Sequence, residues 1–260
     1  MVFRKFIAII LLLTLPSLAY GDDKDDITII KTKAEQGEAN AQIKLGFRYN
    51  QGEGVPKDNK QAFYWYQKAA EQGDGHAQYN LGLMYYNGEG VPKNYKKALY
   101  WYQKASEQGD GRAQYNLGSM YNQGEGVPKD YKQTAYWFQK AAEQDITPAQ
   151  FNLGIMYYEG TELPKDYKQA LYWFYKAAQQ GFTKAQGMLG LMYLTGEGVP
   201  KDYIKAYAYL SLASANSNDD EVRKSSDLAI SDLEKKMTKE QISQAQELAS
   251  KLHEQYNKNQ

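Results

Sequence analysis

The side chains that most often carry chemistry are scarce in this 260-residue chain. It has no cysteine, and its only histidines are His76 and His253. Thiol catalysis, disulfides and cysteine-based zinc sites are excluded, and a histidine-rich metal site lacks ligands. Ser-x-x-Lys, Lys-Thr-Gly and Ser-Asp-Asn, the signatures of penicillin-binding serine enzymes, do not occur. Neither Gly-x-Ser-x-Gly nor His-x-x-x-His is present. The acids Asp22, Asp23, Asp25 and Asp26 lack the glycine and the spacing of a calcium loop and read as a solvated tail. A recurrent Gly-Glu-Gly is not followed by the Lys-Ser/Thr of a phosphate loop and reads as a connector. No catalytic residue, metal or other cofactor is expected.

Charge excludes a second class. Lys plus Arg and Asp plus Glu both number 31, so the formal net charge is zero. A balanced chain has no bulk attraction to nucleic acid or to an anionic membrane. Lys57, Lys93, Lys129, Lys165 and Lys201 form a column, but each stands near acids and reads as a neutralised ridge.

What the chain does have is period. Gly46, Gly82, Gly118, Gly154 and Gly190 step by 36 residues, as do prolines 56, 92, 128, 164 and 200. Leu45 and Tyr49 keep the same step through five copies, and Trp65 through four, with Tyr209 in the fifth place. Such a register marks a repeat architecture. Each copy reads as two helices. In the first, Ala41, Leu45 and Tyr49 fall at helical spacing. Gly52 and its equivalents sit where glycine ends a helix, and the Pro that follows holds its neighbour extended. Asp58, Asp130 and Asp166, with Gln61, Gln133 and Gln169 three residues on, predict capping boxes for the second helix. Its buried stripe is Ala62, Trp65, Tyr66, Ala69 and Ala70. A glycine inside a helix costs about 1 kcal/mol against alanine. Close approach of a large ring would offset that cost, and the repeated Trp is the expected ring.

One helix pair cannot bury two apolar stripes, whereas stacked pairs can. The fold expected is therefore an all-α, right-handed α/α superhelical solenoid. Its repeats span 39–74, 75–110, 111–146, 147–182 and 183–218. A capping helix is expected within 22–38 and capping helices within 219–260, at about 221–236 and 239–256. Residues 1–21 read as a signal peptide: Arg4 and Lys5 precede an apolar run from Phe6 to Leu13 that Pro16 stops. The run is about half of the ~20 residues needed to span a bilayer. Cleavage is expected after Ala19 or Gly21, and no other stretch is apolar enough to cross a membrane. The mature protein is expected to be exported, periplasmic or secreted, and monomeric.

The segment Ala77-Gln78-Tyr79-Asn80-Leu81-Gly82-Leu83-Met84-Tyr85, followed by Gly88-Glu89-Gly90-Val91-Pro92-Lys93, resembles the Sel-1-like repeat family. These repeats are relatives of the tetratricopeptide repeat with a longer loop between the paired helices. The ending, Lys236-Met237-Thr238-Lys239-Glu240-Gln241, is similar to the C-terminal cap of bacterial members. The resemblance covers about residues 39–218. It implies a scaffold or adaptor for protein complexes, and for exported bacterial members an envelope or host-interaction role. Fold alone does not fix function.

Comparison of the copies separates framework from variable positions. On the first helix, position 40 and its equivalents vary, as do positions 43, 47, 50 and 51. The tetratricopeptide resemblance implies that these face a concave groove. Position 43 carries Tyr79, Tyr115 and Phe151 in the middle copies, and position 50 carries Tyr86, Asn122 and Tyr158. Position 44 adds Asn80, Asn116 and Asn152, where the resemblance implies hydrogen bonds to a ligand backbone. The alternative is that these amides bond only neighbouring helices. An aromatic and amide-lined trough suits a protein or peptide partner. His76, also at a variable position, is either a recognition contact or an inert surface residue. A second function class, an envelope hydrolase of the penicillin-binding or peptidoglycan-acting type, would need Asp and Glu from several loops to converge in one cleft.

Overall fold

The computed structural model describes residues 26–161 and 163–257. The signal segment expected at 1–21 lies outside the described residues. Those residues form an all-α solenoid of paired helices with a 36-residue period. A single helix, α1 (Ile27–Glu35), comes first. Five pairs follow: α2 (Ala39–Gln51) with α3 (Asn59–Glu71), α4 (Gly75–Asn87) with α5 (Tyr95–Glu107), α6 (Gly111–Gln123) with α7 (Tyr131–Glu143), α8 (Thr147–Glu159) with α9 (Tyr167–Gln179), and α10 (Thr183–Thr195) with α11 (Tyr203–Asn216). The chain closes with α12 (Asp220–Glu234) and α13 (Lys239–Asn257).

Local chemistry sets these boundaries. Gly52, Gly88, Gly124, Gly160 and Gly196 end the first helices in the left-handed region, at φ from 69° to 81°. Only glycine takes that conformation without a Cβ penalty. The loop then closes on its own helix. The backbone N–H of Asp58, Asn94, Asp130, Asp166 and Asp202 each donates to the carbonyl of Tyr49, Tyr85, Tyr121, Tyr157 and Tyr193, at 2.8–3.1 Å. The same acids start the second helices: Asp58, Asp130 and Asp166 accept from the N–H of Gln61, Gln133 and Gln169 at 3.1 Å. At α13 both halves of a capping box are made. Gln241 N–H donates to Thr238 Oγ1 at 3.2 Å, and Thr238 N–H donates to Gln241 Oε1 at 2.9 Å.

The described residues pack as two units, divided between Lys140 and Ala141 within α7. In the first unit, Ile30 and Ala34 of α1 cover Ala41, Leu45 and Trp65. A second cluster joins Tyr66, Ala69, Tyr79, Leu81, Met84, Tyr102, Leu117 and Met120. In the second unit, Phe151, Phe174, Ala177, Met188, Leu189, Met192 and Tyr209 form one cluster. There Leu233 of α12, Met237 of the turn after it and Ala245 of α13 seal Ala206, Tyr207 and Leu210 of α11. Leu81, Leu117, Leu153 and Leu189 are wholly removed from solvent. Each such leucine contributes about 1.5–3 kcal/mol by burial.

The ring over each first-helix glycine differs from the tryptophan expected there. It belongs to the next residue: Tyr66 over Gly46, Tyr102 over Gly82, Phe138 over Gly118 and Phe174 over Gly154, with Leu210 over Gly190. Adjacent helical residues point about 100° apart, so two neighbours in one stripe meet different partners. Trp65 instead joins Ala41 and Leu45.

Candidate partner-binding face

The first helices of each unit carry the positions at which the copies differ. Two kinds of environment result. Tyr79, Tyr115 and Phe151 are buried rather than open. Each packs on the ring that covers the glycine three residues further along. Tyr79 meets Tyr102 with centroids 6.0 Å apart, Tyr115 stacks on Phe138 at 5.5 Å, and Phe151 meets Phe174 at 5.7 Å. Position 43, position 46 and the second-helix ring thus form one intra-repeat lock. Burial pushes the Tyr79 hydroxyl up to about 12, with Arg112 and Asn116 opposing and Asp110 adding to the rise.

The remaining variable residues are half-buried: Asn80, Tyr86, Asn116 and Asn122 in the first unit, Asn152 and Tyr158 in the second. Asn116 hydrogen-bonds the hydroxyls of Tyr79 and Tyr102, an internal role. Tyr86 and Tyr158 reach into the next copy. Tyr86 donates to Glu125 Oε2 at 2.7 Å, and Tyr158 donates to Glu197 Oε2 at 2.6 Å. Both acceptors are the glutamate of a Gly-Glu-Gly loop, so that connector also fastens copies together. Burial first, then the glutamate beside it, raises both hydroxyls well above the usual tyrosine range. Tyr167 gives Glu197 a second hydroxyl at 3.1 Å.

His76 lies at the start of α4 in a cluster that the sequence did not foretell. Its Nδ1 is 3.1 Å from Arg112 Nη2, and Arg112 in turn holds Asp110 at 2.6 Å. The Arg112 guanidinium sits 4.3 Å from the centre of the Tyr79 ring. This joins the variable surface of the second and third copies to the buried lock beneath.

Two features escaped the sequence reading. The first is a glutamine relay. Gln42, Gln78, Gln150 and Gln186 are buried, and each donates its amide to a carbonyl of the preceding second helix: Ala34 (at the close of α1), Ala70, Ala142 and Ala178, at 3.1–3.4 Å. Gln72, Gln108 and Gln180 then donate to Oε1 of Gln42, Gln78 and Gln150 at 2.8–2.9 Å. The signal was present as an unvarying Gln at 42, 78, 114, 150 and 186. The relay stops in the fifth copy, where Asn216 replaces the second Gln and Gln186 Oε1 is buried without a partner. The second feature is a set of exposed tyrosines, one residue before each tryptophan, on the second helices.

Among the described residues no three His, Asp or Glu side chains stand where they could hold a metal ion. Nor is any helix among them long and apolar enough to cross a membrane.

The Sel1 repeat model matches residues 39–74, 75–110, 111–146, 147–182 and 183–218. Over 40 residues the chain is 52% identical to the secretory immunoglobulin A-binding protein EsiB of Escherichia coli O6:H1, a stretch that is 15% of this chain and 8% of that protein. The fold is similar to that of c5321, a protective antigen present in uropathogenic Escherichia coli strains displaying an SLR fold. The TM-score is 0.79 at 39% identity, over 88% of this chain and 48% of that one. A Sel1 repeat protein from Oxalobacter formigenes matches with TM-score 0.68 at 35% identity, over 74% of this chain and 76% of its own. The chain therefore spans about half the length of the antigen's structure.

Proposed function

The chain belongs to the Sel1 repeat family, and from that premise we propose that it is an exported, non-enzymatic scaffold whose first-helix faces bind a protein or peptide partner. The observation that carries this reading is the division of labour along the first helices. Positions 41, 42, 45 and 46 keep one residue type in all five copies and are buried, whereas the half-buried positions 47 and 50 change from copy to copy. A surface that varies on an unvarying frame is how a repeat array acquires specificity. Asn80, Tyr86 and Asn122 supply amides and a ring for an extended or helical segment on the first unit. Asn152 and Tyr158 supply them on the second. Export rests on Arg4, Lys5 and the apolar run after them. The name of one relative makes secretory immunoglobulin A the first partner to try.

The experiment uses two affinity columns, one carrying the mature chain and one a variant with Asn80→Ala, Tyr86→Phe and Asn122→Ala that melts cooperatively. Secretory immunoglobulin A is passed over both, and so, separately, are envelope and medium proteins of the producing cell. A protein held by the first column and released by the second supports the reading. Equal retention on both columns, or none on either, overturns it.

A further inference from the structure

The second helices present a face that the partner reading above does not use. Tyr64, Tyr100 and Tyr136 in the first unit occupy the same place on successive second helices and are 46%, 52% and 49% exposed. These rings do not lie at random. Each is held edge to face against the tryptophan that follows it: Tyr64 on Trp65, Tyr100 on Trp101 and Tyr136 on Trp137. The centroids are 4.8–5.0 Å apart and the planes meet at 76–80°. Such rings are rigid before any ligand arrives, so stacking on them costs little side-chain entropy.

Each ring stands between two lysines one helical turn away on either side. The columns are Lys60-Tyr64-Lys68, Lys96-Tyr100-Lys104 and Lys132-Tyr136-Lys140, and all six lysines are exposed. Lys68 lies 5.0 Å from the centre of the Tyr64 ring and Lys140 5.4 Å from that of Tyr136. The helices α3 and α5 carry five lysines (60, 68, 96, 97 and 104) and two acids, Glu71 and Glu107, of which Glu107 pairs with Lys104 at 3.3 Å. The chain is neutral overall, so this is a local concentration of positive charge.

We propose that this second-helix face of the first unit docks a linear acidic polysaccharide. Charge complementarity asks for an anionic ligand, and rigid exposed rings ask for flat apolar faces such as those of pyranose sugars. Chemically identical columns at a constant 36-residue step fit a ligand that is itself a repeating unit. An acidic peptide would satisfy the lysines but gives no reason for three equal tyrosines. Lysine supplies the ammonium for a uronate carboxylate while the ring takes the sugar face.

The test titrates the mature chain with a polygalacturonate oligomer, with neutral dextran and with polyglutamate. Polygalacturonate should bind best, and its affinity should fall with salt. Tyr64→Ser, Tyr100→Ser and Tyr136→Ser together should weaken it about tenfold or more, whereas the three Tyr→Phe changes should leave it intact. Because the serine variant uncovers tryptophan edges, Lys60→Gln, Lys96→Gln and Lys132→Gln provide a second arm, expected to lower affinity and flatten the salt dependence. Absence of polygalacturonate binding overturns the proposal. So does polyglutamate binding as tightly as the sugar, or a folded serine variant that binds like the wild type.

Discussion

A Cβ added to Gly118 would stand 2.5 Å from Cδ1 of Phe138, so in this repeat the second helix rests its ring directly on the backbone of the first. Tyr115, one turn earlier, stacks on the same ring. Gly118→Leu should therefore overpack the lock and cost about 1–3 kcal/mol or more. Ser119→Leu, at the half-buried next position, should change stability by about 0.5 kcal/mol or less. Thermal melts of the two variants compare them, and equal shifts would show that the ring does not need the bare backbone.

The glutamine relay makes a second prediction. Gln150 spends its amide on the Ala142 carbonyl and its oxygen on Gln180. Gln150→Leu removes both bonds, but Ala142 and Gln180 each keep a second partner at Asp145, so it should destabilise by about 0.5–1.5 kcal/mol. In the fifth copy the donor is missing, and Gln186 Oε1 is orphaned. Asn216→Gln should supply it and raise stability by about 0.5–1.5 kcal/mol. Denaturant titration measures both changes, and a neutral Gln150→Leu would remove the relay from the account.

Much of this was legible in advance because the period converts one chain into five comparable copies. The helix pairs, the glycine ends and the Asp starts follow from local backbone chemistry, and the structure carries them at Gly52, Asp58 and their equivalents. The identity of the ring over Gly46 was not legible. Trp65 and Tyr66 are adjacent, both are large and both recur, and spacing cannot tell which one turns toward its own first helix. Position 42 was hidden for a different reason. Glutamine reads as surface by polarity, yet here its amide and oxygen are both satisfied inside the fold. On the candidate face, variability alone could not separate buried Tyr79 and Tyr115 from half-buried Tyr86, since all are tyrosine.

Modularity makes a third prediction. Each copy locks internally through its ring and glycine, and bonds its neighbour through glutamine. Deleting residues 75–110 should therefore leave a folded, shorter protein, whereas deleting 18 of them should not. Circular dichroism with a thermal melt decides, and equal unfolding of both deletions would argue against independent repeats.

Buried phenols set the alkaline limit. Burial raises Tyr79 to about 12 from an ordinary 10.0, and Tyr102, Tyr86 and Tyr158 also rise, burial being the largest cause in each. A hydroxyl whose pKa is higher in the folded chain than in the unfolded one favours folding fully below the unfolded value. That contribution is lost as pH climbs through the interval between the two. The melting temperature should therefore hold to about pH 9 and fall steeply above about pH 10. Tyr102→Phe should soften the fall, and an identical profile in that variant would exclude phenol ionisation as its cause.

The claim that matters most is that recognition lies on the half-buried positions of the first helices, above a frame of buried locks. The direct measurement is a titration of a captured partner against Asn80→Ala/Asn152→Ala, with Tyr64→Ser as a control on the second helices and all variants confirmed folded. Each amide contributes about 0.5–1.5 kcal/mol if it bonds the partner, so the double variant should bind roughly tenfold more weakly while the control binds as the wild type does. Undiminished binding by the folded double variant, with loss in the control, would place recognition on the second helices and contradict the account.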